Sequence, residues 1–288
     1  MNLTNPNSDV RFVPLTPHHY LCKTNILILF STMIKHIISW TLRNIPRKYI
    51  QLVGHFATKT YGLLLSGNSV ECSVCNSTFS KFLPYGRLEP RENALCPNCL
   101  ALERHRLMYL YLQQKTNFFT DNLKVLHVAP EYCFIDRFEK MKNLDYITAD
   151  IESPLAKVKM DLHDIPFEDN TFDVVFCNHV LEHVEDDIRC MNEMKRVLKP
   201  SGWAIMQSPQ DWKLATTFED KTVTDPKERE RLFKQDDHYR IFGRDYNKRL
   251  EQGGWQVTED KFVMEMSAEK VKRFALPQEE IIYLCKKK

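Results

Sequence analysis

Three features common in enzymes and membrane proteins are scarce or missing in this sequence. Only 8 of its 288 residues are glycine, and the loop after its first apolar strand, Val128-Ala-Pro-Glu131, has none. Glycine lets the backbone approach a bound cofactor closely, so its absence from this loop, taken alone, argues against a cofactor site there. The apolar run Asn25–Trp40 is interrupted by Lys35 and His36 and is short for a membrane span. The first twenty residues lack the positive start and apolar core of a signal peptide, so none is expected.

Acidic residues are nearly absent from the first part of the chain. Asp9 is the only one in residues 1–70, which carry a net charge of +6 against +2 for the whole chain. We assign residues 1–69 to a basic tail and an amphipathic helix over 33–45, whose apolar residues recur at helical spacing. This arm can contact a membrane surface or RNA, or it can pack against its own protein. Met33 is an alternative start of the chain.

The composition is that of an ordinary soluble globular protein, with 43% hydrophobic and 27% charged residues. The length allows one sizeable domain and a small one. Nine cysteines lie too irregularly for a disulfide framework, and five of them stand singly. This pattern favours a reducing cytosol. We therefore expect a cytoplasmic protein, with membrane association through the 33–45 helix left open.

Two Cys-x-x-Cys pairs, Cys72-Ser-Val-Cys75 and Cys96-Pro-Asn-Cys99, are separated by 20 residues. Four thiolates at this spacing predict a closed, structural, tetrahedral Zn²⁺ site in a module over 70–106. Iron is the alternative metal. The module can hold nucleic acid through its basic residues, or it can form one wall of a substrate cleft. Those basic residues are Lys81, Arg87, Arg91, Arg104 and Arg106.

The centre of the chain predicts alternating strands and helices with acids at strand ends. The predicted strands are Lys124–Ala129, Asp145–Asp150, Phe172–Cys177, Gly202–Ser208, Trp255–Val263 and Glu279–Leu284. The predicted helices are Leu102–Gln114, Phe134–Lys142, Asp186–Leu198 and Tyr239–Gln252. Asp150 ends the second strand, where an acid in a Rossmann-like unit accepts hydrogen bonds from ribose hydroxyls. The charged segment 209–238 has little apolar periodicity and is interpreted as a lid-like insertion.

The order of these parts resembles the class I S-adenosylmethionine-dependent methyltransferases. From Cys72 to the C-terminus the chain looks like a bacterial subgroup of them that carries an N-terminal cysteine ribbon. The phrases that carry this resemblance are His127-Val-Ala-Pro-Glu131, Phe82-Leu-Pro-Tyr-Gly86, Leu102-Glu-Arg-His-Arg106, Asn178-His-Val-Leu-Glu-His-Val184 and His238-Tyr-Arg-Ile-Phe-Gly-Arg-Asp245. The resemblance implies an α/β fold over 107–288. Its centre would be a Rossmann-like, seven-stranded, mostly parallel sheet with helices on both faces.

The resemblance also implies where S-adenosylmethionine binds. Asp150 would bind the ribose hydroxyls, and Ile151 would pack on the adenine. Asp161 would accept from the adenine amino group, and the backbone of Leu162 would contact a ring nitrogen. The residues that would line the methionine end are Val128, Ala129, Glu131, Asn178 and His179.

A second motif overlaps this site. His179-Val-Leu-Glu-His183 matches the H-x-x-E-H pattern of one metalloprotease group, but it directly follows a core strand rather than lying on a helix. We therefore expect His183 and Glu182 to anchor the loop. Methyl transfer to oxygen or nitrogen needs a base, for which His179, His238 and Glu182 are the candidates. Arg240 can bind a substrate phosphate or carboxylate, or belong to a solvated lid.

The acceptor is expected to be a small molecule or a glycan. One alternative is an RNA methyltransferase that uses the zinc module to bind RNA. Another is a non-catalytic zinc-ribbon adaptor whose Rossmann domain has lost its ligand. No obligate protein partner is indicated by the sequence.

Overall fold

The computed structural model describes residues 47–86 and 90–288, with side chains from His55 onward. The expected helix over 33–45, Met33 and Arg87 lie outside these residues. The chain divides into two units, Met1–Gly54 and His55–Lys288, and all the side-chain contacts described below lie within the second.

The helices and strands follow one another along the chain as the sequence predicts in outline. The helices are α1 Arg47–Leu63, α2 Glu103–Lys115, α3 Tyr132–Glu139, α4 Asp187–Val197, α5 Pro226–Phe233, α6 Tyr246–Gln252 and α7 Ala268–Arg273. The strands are β1 Val70–Glu71, β2 Thr78–Phe79, β3 Leu83–Tyr85, β4 Arg91–Leu95, β5 Leu123–Val128, β6 Leu144–Asp150, β7 Val158–Lys159, β8 Phe172–Asn178, β9 Leu198–Gln207, β10 Phe218–Glu219, β11 Arg240–Ile241, β12 Trp255–Asp260 and β13 Ile282–Lys287. Among these described helices, none has the length and apolar character needed to cross a bilayer.

Seven strands form the central sheet in the order β12-β13-β9-β8-β5-β6-β7. All neighbouring pairs are parallel except those of β13, which is antiparallel to β12 and β9. The chain runs outward through β6 and β7 and then returns to β8 on the other side of β5. Ligands of open α/β sheets bind at such a switch point, beyond the carboxyl ends of the strands. The Rossmann-like, mostly parallel sheet of the prediction is confirmed.

Side chains of the central strands alternate between two apolar clusters. Val125 packs in one cluster with residues of α2, and Leu126 packs in the other with residues of α4. Because successive strand residues point to opposite faces, these two clusters lie on the two faces of the sheet. Helices therefore cover both faces, which explains why the central residues of β5 and β8 are mostly apolar.

The structure differs from the prediction in the last third of the chain. The helix predicted over Tyr239–Gln252 begins only at Tyr246, because Arg240 and Ile241 pair with Glu219 and Phe218 as strand β11. Pairing with β9 also moves the last strand to Ile282–Lys287. Tertiary pairing has here overridden local periodicity.

The charged segment 209–238 is ordered by its own contacts. It contains β10 and α5, and β10 pairs antiparallel with β11. Helix α5 begins after Asp225, whose side chain accepts from the backbone N–H of Glu228. Phe233 at the end of α5 is buried and fixes the helix to the domain.

Candidate functional site

The switch point of the sheet contains two residues in the left-handed region. Ala129 follows β5 with a φ of 48°, and His179 follows β8 with a φ of 56°. The N–H of Ala129 donates to the carbonyl of Ala149 at 2.8 Å, and the N–H of His179 donates to the carbonyl of Gln207 at 2.7 Å. Each strand therefore makes one more backbone hydrogen bond to its neighbour before the backbone turns away. This conformation costs a residue with a side chain about 1–2 kcal/mol. The glycine-free loop thus adopts the backbone shape that glycine usually provides, at the edge where ligands bind.

Asp150 and Asp161 lie close together at the next two strand ends. Asp150 pairs with Lys159 in the sheet, and its carbonyl accepts from the N–H of Met160 at 3.0 Å. One carboxylate oxygen of Asp150 accepts from the N–H groups of Glu152 and Ser153 at 2.8 and 2.6 Å. This hydrogen bonding fixes the carboxylate at the rim of the sheet.

The carboxylate of Asp161 is oriented by a similar local turn. Its Oδ1 accepts from the backbone N–H of His163 at 2.9 Å and lies 2.7 Å from His163 Nδ1. The His163 backbone N–H, followed by the His163 ring, holds the pKa of Asp161 below its usual range. Beside these acids, Ile151 is 55% exposed whereas Leu162 is buried. Both acids and an exposed apolar side chain therefore lie at one edge of the sheet.

A buried network surrounds Glu131, two residues after Ala129. The Glu131 carboxylate contacts Nε2 of His127 and accepts from Nδ2 of Asn178 at 3.1 Å. Burial acts to raise the pKa of Glu131, but His127, His105 and Arg104 lower it to about 2. Glu131 is thus an ionised carboxylate. The Oδ1 of Asn178 is buried without a hydrogen-bond partner among the described residues, so one polar atom remains for a ligand.

His179 and Glu182 form a second pair at the end of β8. Nδ1 of His179 lies 3.6 Å from Oε1 of Glu182, while Oε2 of Glu182 accepts from Ser208 at 3.0 Å. Although burial acts to raise the pKa of Glu182, its interaction with His179 lowers it, and the carboxylate remains ionised. Nε2 of His179 is buried and has no partner among the described residues. This arrangement leaves that nitrogen to interact with a ligand.

A cleft of about 1130 Å³ opens beside His179. Its walls are the β4–α2 part of the cysteine module, the loop after β9 and the segment from Val263 to Ile281. A smaller pocket continues inward to Glu131, Asn178 and His105. Four residues line both spaces, namely Arg104, His179, Gln207 and Glu280. The cysteine module therefore forms a wall of the cleft, one of the two roles expected for it.

Two expected site residues lie elsewhere. His238 is buried against His183 with a ring distance of 4.5 Å, and burial lowers its pKa. Arg240 is also buried, and its guanidinium donates to the carbonyls of Leu181, Val184 and Glu185 at 2.6 to 2.8 Å. Neither residue lines the described part of the cleft. Arg240 was expected to bind substrate, but its guanidinium instead holds the backbone of the turn after β8 inside the protein.

The four paired cysteines converge in the module. Sγ of Cys72 lies 3.6 Å from Sγ of Cys99, and Sγ of Cys75 lies 3.7 Å from Sγ of Cys96. All four sulfur atoms lie within 4.8 Å of one another. Each pair is followed by a residue in the left-handed region, Asn76 or Leu100, whose N–H donates to the carbonyl of the first cysteine. The two knuckles therefore share one backbone geometry.

Two of the basic residues of this module make contacts within the protein itself. Arg106 is fully buried and donates to five backbone carbonyls, those of Asn93, Ala94, Ala101, Phe274 and Ala275. Arg91 forms an ion pair with Glu103 at 2.9 Å. The structure thus corrects the expectation that Arg106 contributes to RNA binding, because its donors face the protein interior.

Sequence reasoning missed four residues of this site. His127, His105, Gln207 and Glu280 contribute to the buried network or to the pocket. His127 lies inside an apolar strand, and a polar residue in such a run is a usable signal. His105 lies in the phrase Leu102–Arg106 that carries the resemblance, whereas Gln207 at the end of β9 and Glu280 in a loop offer no local pattern that distinguishes them.

Residues 118–206 match the family model described as "Methyltransferase domain". An uncharacterized methyltransferase of Schizosaccharomyces pombe is 32% identical over 88 residues, which cover 28% of this chain and 29% of that protein. The demethylmenaquinone methyltransferase of Staphylococcus carnosus is 39% identical over 67 residues, with 23% and 24% coverage. A tRNA U34 carboxymethyltransferase of Nautilia profundicola is 38% identical over 79 residues, with 27% and 24% coverage. The chain spans less than a third of the length of each relative.

Among solved structures, a SAM-dependent methyltransferase from Archaeoglobus fulgidus aligns with a TM-score of 0.41 at 15% identity. The alignment covers 63% of this chain and 93% of that one. Residues 118–206 therefore correspond to a methyltransferase domain, and the seven-stranded, mostly parallel sheet that contains them has the Rossmann-like order expected from the sequence.

Proposed function

We propose that this protein transfers a methyl group from S-adenosylmethionine to an oxygen or nitrogen atom of a small polar molecule or glycan. The observation that carries the proposal is the position of His179. This residue lies at the switch point of the sheet and lines both the inner pocket and the open cleft. A group held at the strand ends and a substrate held in the cleft would meet beside it.

The residues at the strand ends fit the cofactor. Asp150 and Asp161 are neighbouring, locally oriented carboxylates that suit the ribose hydroxyls and the adenine amino group. Exposed Ile151 suits the adenine face, with the Leu162 backbone beside it. At the other end, Val128, Ala129, Glu131 and Asn178 would hold the methionine moiety. This placement also uses the orphaned oxygen of Asn178.

When bound, S-adenosylmethionine supplies a methyl group activated by its positive sulfonium. The protein then has to orient the acceptor in line with that methyl group and to remove the acceptor's proton. Nε2 of His179 is the candidate base, because it has no hydrogen-bond partner among the described residues and His179 lines the cleft. Ionised Glu182 acts through His179 by holding its ring, as Ser208 in turn holds Glu182. His238 is too far inside the protein to touch a substrate in the cleft.

The charges of the cleft favour an uncharged polar acceptor. The acidic residues Glu92, Glu103, Glu279 and Glu280 outnumber the basic residues Arg91, Arg104 and Lys272. A site that binds nucleic acid normally carries an excess of positive charge to neutralise phosphates. Trp212 is 52% exposed in the cleft and offers a flat apolar face on which a sugar ring can pack.

The four cysteines are proposed to hold one structural Zn²⁺. Tetrahedral coordination at a Zn–S distance of about 2.3 Å places sulfur atoms about 3.8 Å apart. The observed pairs at 3.6 and 3.7 Å fit this geometry. Purified protein should contain close to one zinc per chain from this site, and a chain whose cysteine module carries none would contradict the proposal.

Calorimetry with S-adenosylmethionine tests the cofactor site. Wild-type protein should bind it, and Asp150→Ala should weaken the Kd at least about tenfold, which corresponds to the loss of about 1.4 kcal/mol. Asp145→Ala is the matched control, because Asp145 lies on the same strand and makes only an exposed contact with Lys124. Unchanged thermal unfolding of both variants would exclude misfolding as the cause. Failure of the wild type to bind would favour the non-catalytic adaptor.

Transfer of a tritiated methyl group to glycans, small polar metabolites and RNA identifies the acceptor. With the acceptor in hand, His179→Gln should lower kcat about a hundredfold or more, as expected for loss of a general base. His238→Gln should leave kcat within a few fold of the wild type. Transfer to RNA alone would overturn the substrate class that we propose while leaving the methyltransferase activity established.

A further inference from the structure

A second cluster of metal-ligand side chains lies beneath the rim of the cleft. Glu182 and His183 come from the turn after β8, and His238 comes from the end of the charged insertion. Each offers one ligand atom, and these atoms lie within 4.8 Å of one another. The sequence motif His179-Val-Leu-Glu-His183 indicated a pair of histidines in this turn. The structure instead brings His183 and Glu182 together with a histidine from 55 residues further along the chain.

Two atoms of this cluster lack hydrogen-bond partners although they are buried. Nε2 of His238 and Oε1 of Glu182 have none among the described residues, although Nδ1 of His179 lies 3.6 Å from Oε1 of Glu182, and their residues are 6% and 1% exposed. An unpaired buried acceptor or donor costs about 1–3 kcal/mol, so the fold needs a reason to retain two of them side by side. A bound cation would satisfy both.

Neighbouring groups orient the ligands as second-shell partners do in metal sites. Nδ1 of His183 lies 3.1 Å from a carboxylate oxygen of Asp237, which leaves Nε2 of His183 for a metal. A carboxylate beside a metal-bound imidazole fixes the ring and increases its basicity. Ser208 likewise holds one oxygen of Glu182, and Tyr246 donates to Ser208 at 3.4 Å. The side chains of His183 and Asp237 are 32% and 63% exposed, so this side of the cluster lies close to the surface.

We propose that Glu182, His183 and His238 form a binding site for a divalent transition metal, with Zn²⁺ as the best match. Two imidazoles and one carboxylate are a ligand set that zinc accepts, with a fourth position open to water. Such a site needs its ligand atoms about 3.4 Å apart, which small side-chain rotations reach from the present spacing. The metal would join the end of the insertion to the turn that carries His179.

Metal titration of the whole chain tests this site. Zinc-depleted protein should take up two equivalents of Zn²⁺ per chain, one resistant to a weak chelator and one removable by it. Cobalt substitution assigns the two. The cysteine site gives intense sulfur-to-metal charge-transfer absorption, whereas a site of nitrogen and oxygen ligands gives only weak visible bands.

His238→Phe removes one ligand and retains a ring that can pack against His183. This variant should keep the charge-transfer absorption and lose the second equivalent. His55→Gln is the matched control, because His55 contacts Asn98 and Tyr132 away from this cluster, and it should bind two equivalents. If His238→Phe does not retain the cysteine-bound metal, Glu182→Gln provides the same comparison at nearly constant volume.

Uptake of only one equivalent by the wild type would overturn the proposal. Retention of two equivalents by folded His238→Phe or Glu182→Gln would do so as well, because the second ion would then be bound elsewhere. Since the readout is metal content, neither result depends on methyl transfer or on the identity of the acceptor.

Discussion

The cysteine module and the charged insertion each border one buried arginine that contacts a distant segment of the chain. Arg106 connects the module to the segment around Phe274, and Arg240 connects β11 to the turn after β8. Their partners differ. Arg106 donates to five uncharged carbonyls, whereas Arg240 donates to three carbonyls and also forms an ion pair with Glu219 at 3.2 Å.

This difference has an electrostatic consequence. Burial lowers the pKa of Arg106, and the charges that oppose this effect include those of Cys72, Cys96 and Cys99. Four thiolates around one Zn²⁺ would carry a net charge of about −2, so the metal centre would supply the counter-charge that the carbonyls cannot. With the proposed Zn²⁺ bound, the module would depend on that metal for both its fold and its anchor. The insertion depends on carboxylates of its own domain.

The largest expected effect is loss of the module on removal of one sulfur ligand. Structural zinc contributes apparent binding free energies of about 10–16 kcal/mol in small modules, so Cys96→Ser should unfold residues 70–106. Hydrogen exchange of those residues should rise to that of an unfolded chain while β5 and β8 remain protected. Cys190→Ala, which changes a cysteine outside the metal cluster, should leave zinc content unchanged. Full protection of the module in zinc-free Cys96→Ser would contradict the comparison.

Replacing each arginine by methionine comes next. Arg106→Met leaves five carbonyls unpaired and should lower the free energy of unfolding by about 3–5 kcal/mol. Arg240→Met should cost less, about 2–3 kcal/mol, because Arg249 still pairs with Asp187 and Glu219 at 2.8 and 3.1 Å. Urea unfolding measures both values.

The control for this pair is Arg91→Met. Arg91 forms a largely exposed ion pair with Glu103, so its loss should cost less than about 1 kcal/mol. If Arg106→Met and Arg91→Met lowered the free energy of unfolding equally, burial of the Arg106 guanidinium would not be what anchors the module. If Arg240→Met lowered the free energy of unfolding more than Arg106→Met, the expected order of the two arginines would be wrong.

A smaller effect distinguishes Arg240 from Arg106, because only Arg240 pairs with a carboxylate, that of Glu219, whose contribution to stability depends on pH. Burial acts to raise the pKa of Glu219, but Arg249 and Arg240 hold it below its usual value. A lowered folded pKa means stabilisation that is present above the ordinary glutamate pKa of about 4.3 and lost as the pH falls through the folded value. The stability difference between wild type and Glu219→Gln should therefore shrink on acidification below that pH. A difference independent of pH would show that Glu219 does not stabilise the insertion by charge.

The smallest effects on stability are expected from two residues with left-handed backbone conformation, one in the cysteine module and one in the charged insertion. Leu100 follows the second cysteine pair with a φ of 61°, and Lys234 ends α5 with a φ of 73°. Leu100→Gly and Lys234→Gly should each be neutral or raise the unfolding free energy by up to about 1 kcal/mol. Lys140→Gly, at a helix end with a φ of −83°, should destabilise instead. Thermal unfolding distinguishes these signs.

The sequence was sufficient to predict the elements whose pattern is local. The apolar runs of β5 and β8, the helical spacing in Asp186–Leu198 and the spacing of the four cysteines predicted the sheet, helix α4 and the cysteine cluster. Each of these follows from side chains within a few residues of one another. The positions of Asp150 and Asp161 at neighbouring strand ends follow from the order of strands.

The two arginines show where this reasoning stops. A guanidinium in a charged stretch predicts an exposed group, and only the packing of distant segments shows that Arg106 and Arg240 are enclosed. The same holds for the helix expected from Tyr239, whose first residues became a strand because β10 lay beside them.

By itself, the sequence determined the parallel sheet, the two knuckles and the acids at the strand ends, because periodicity, ligand spacing and strand order are properties of neighbouring residues. The tertiary structure decided which polar groups face a cleft, which are buried as anchors, and that His238 lies beside His183 and Glu182. Those outcomes depend on contacts between segments far apart in the chain, where the cost of burying a charge is met only by partners that folding brings together.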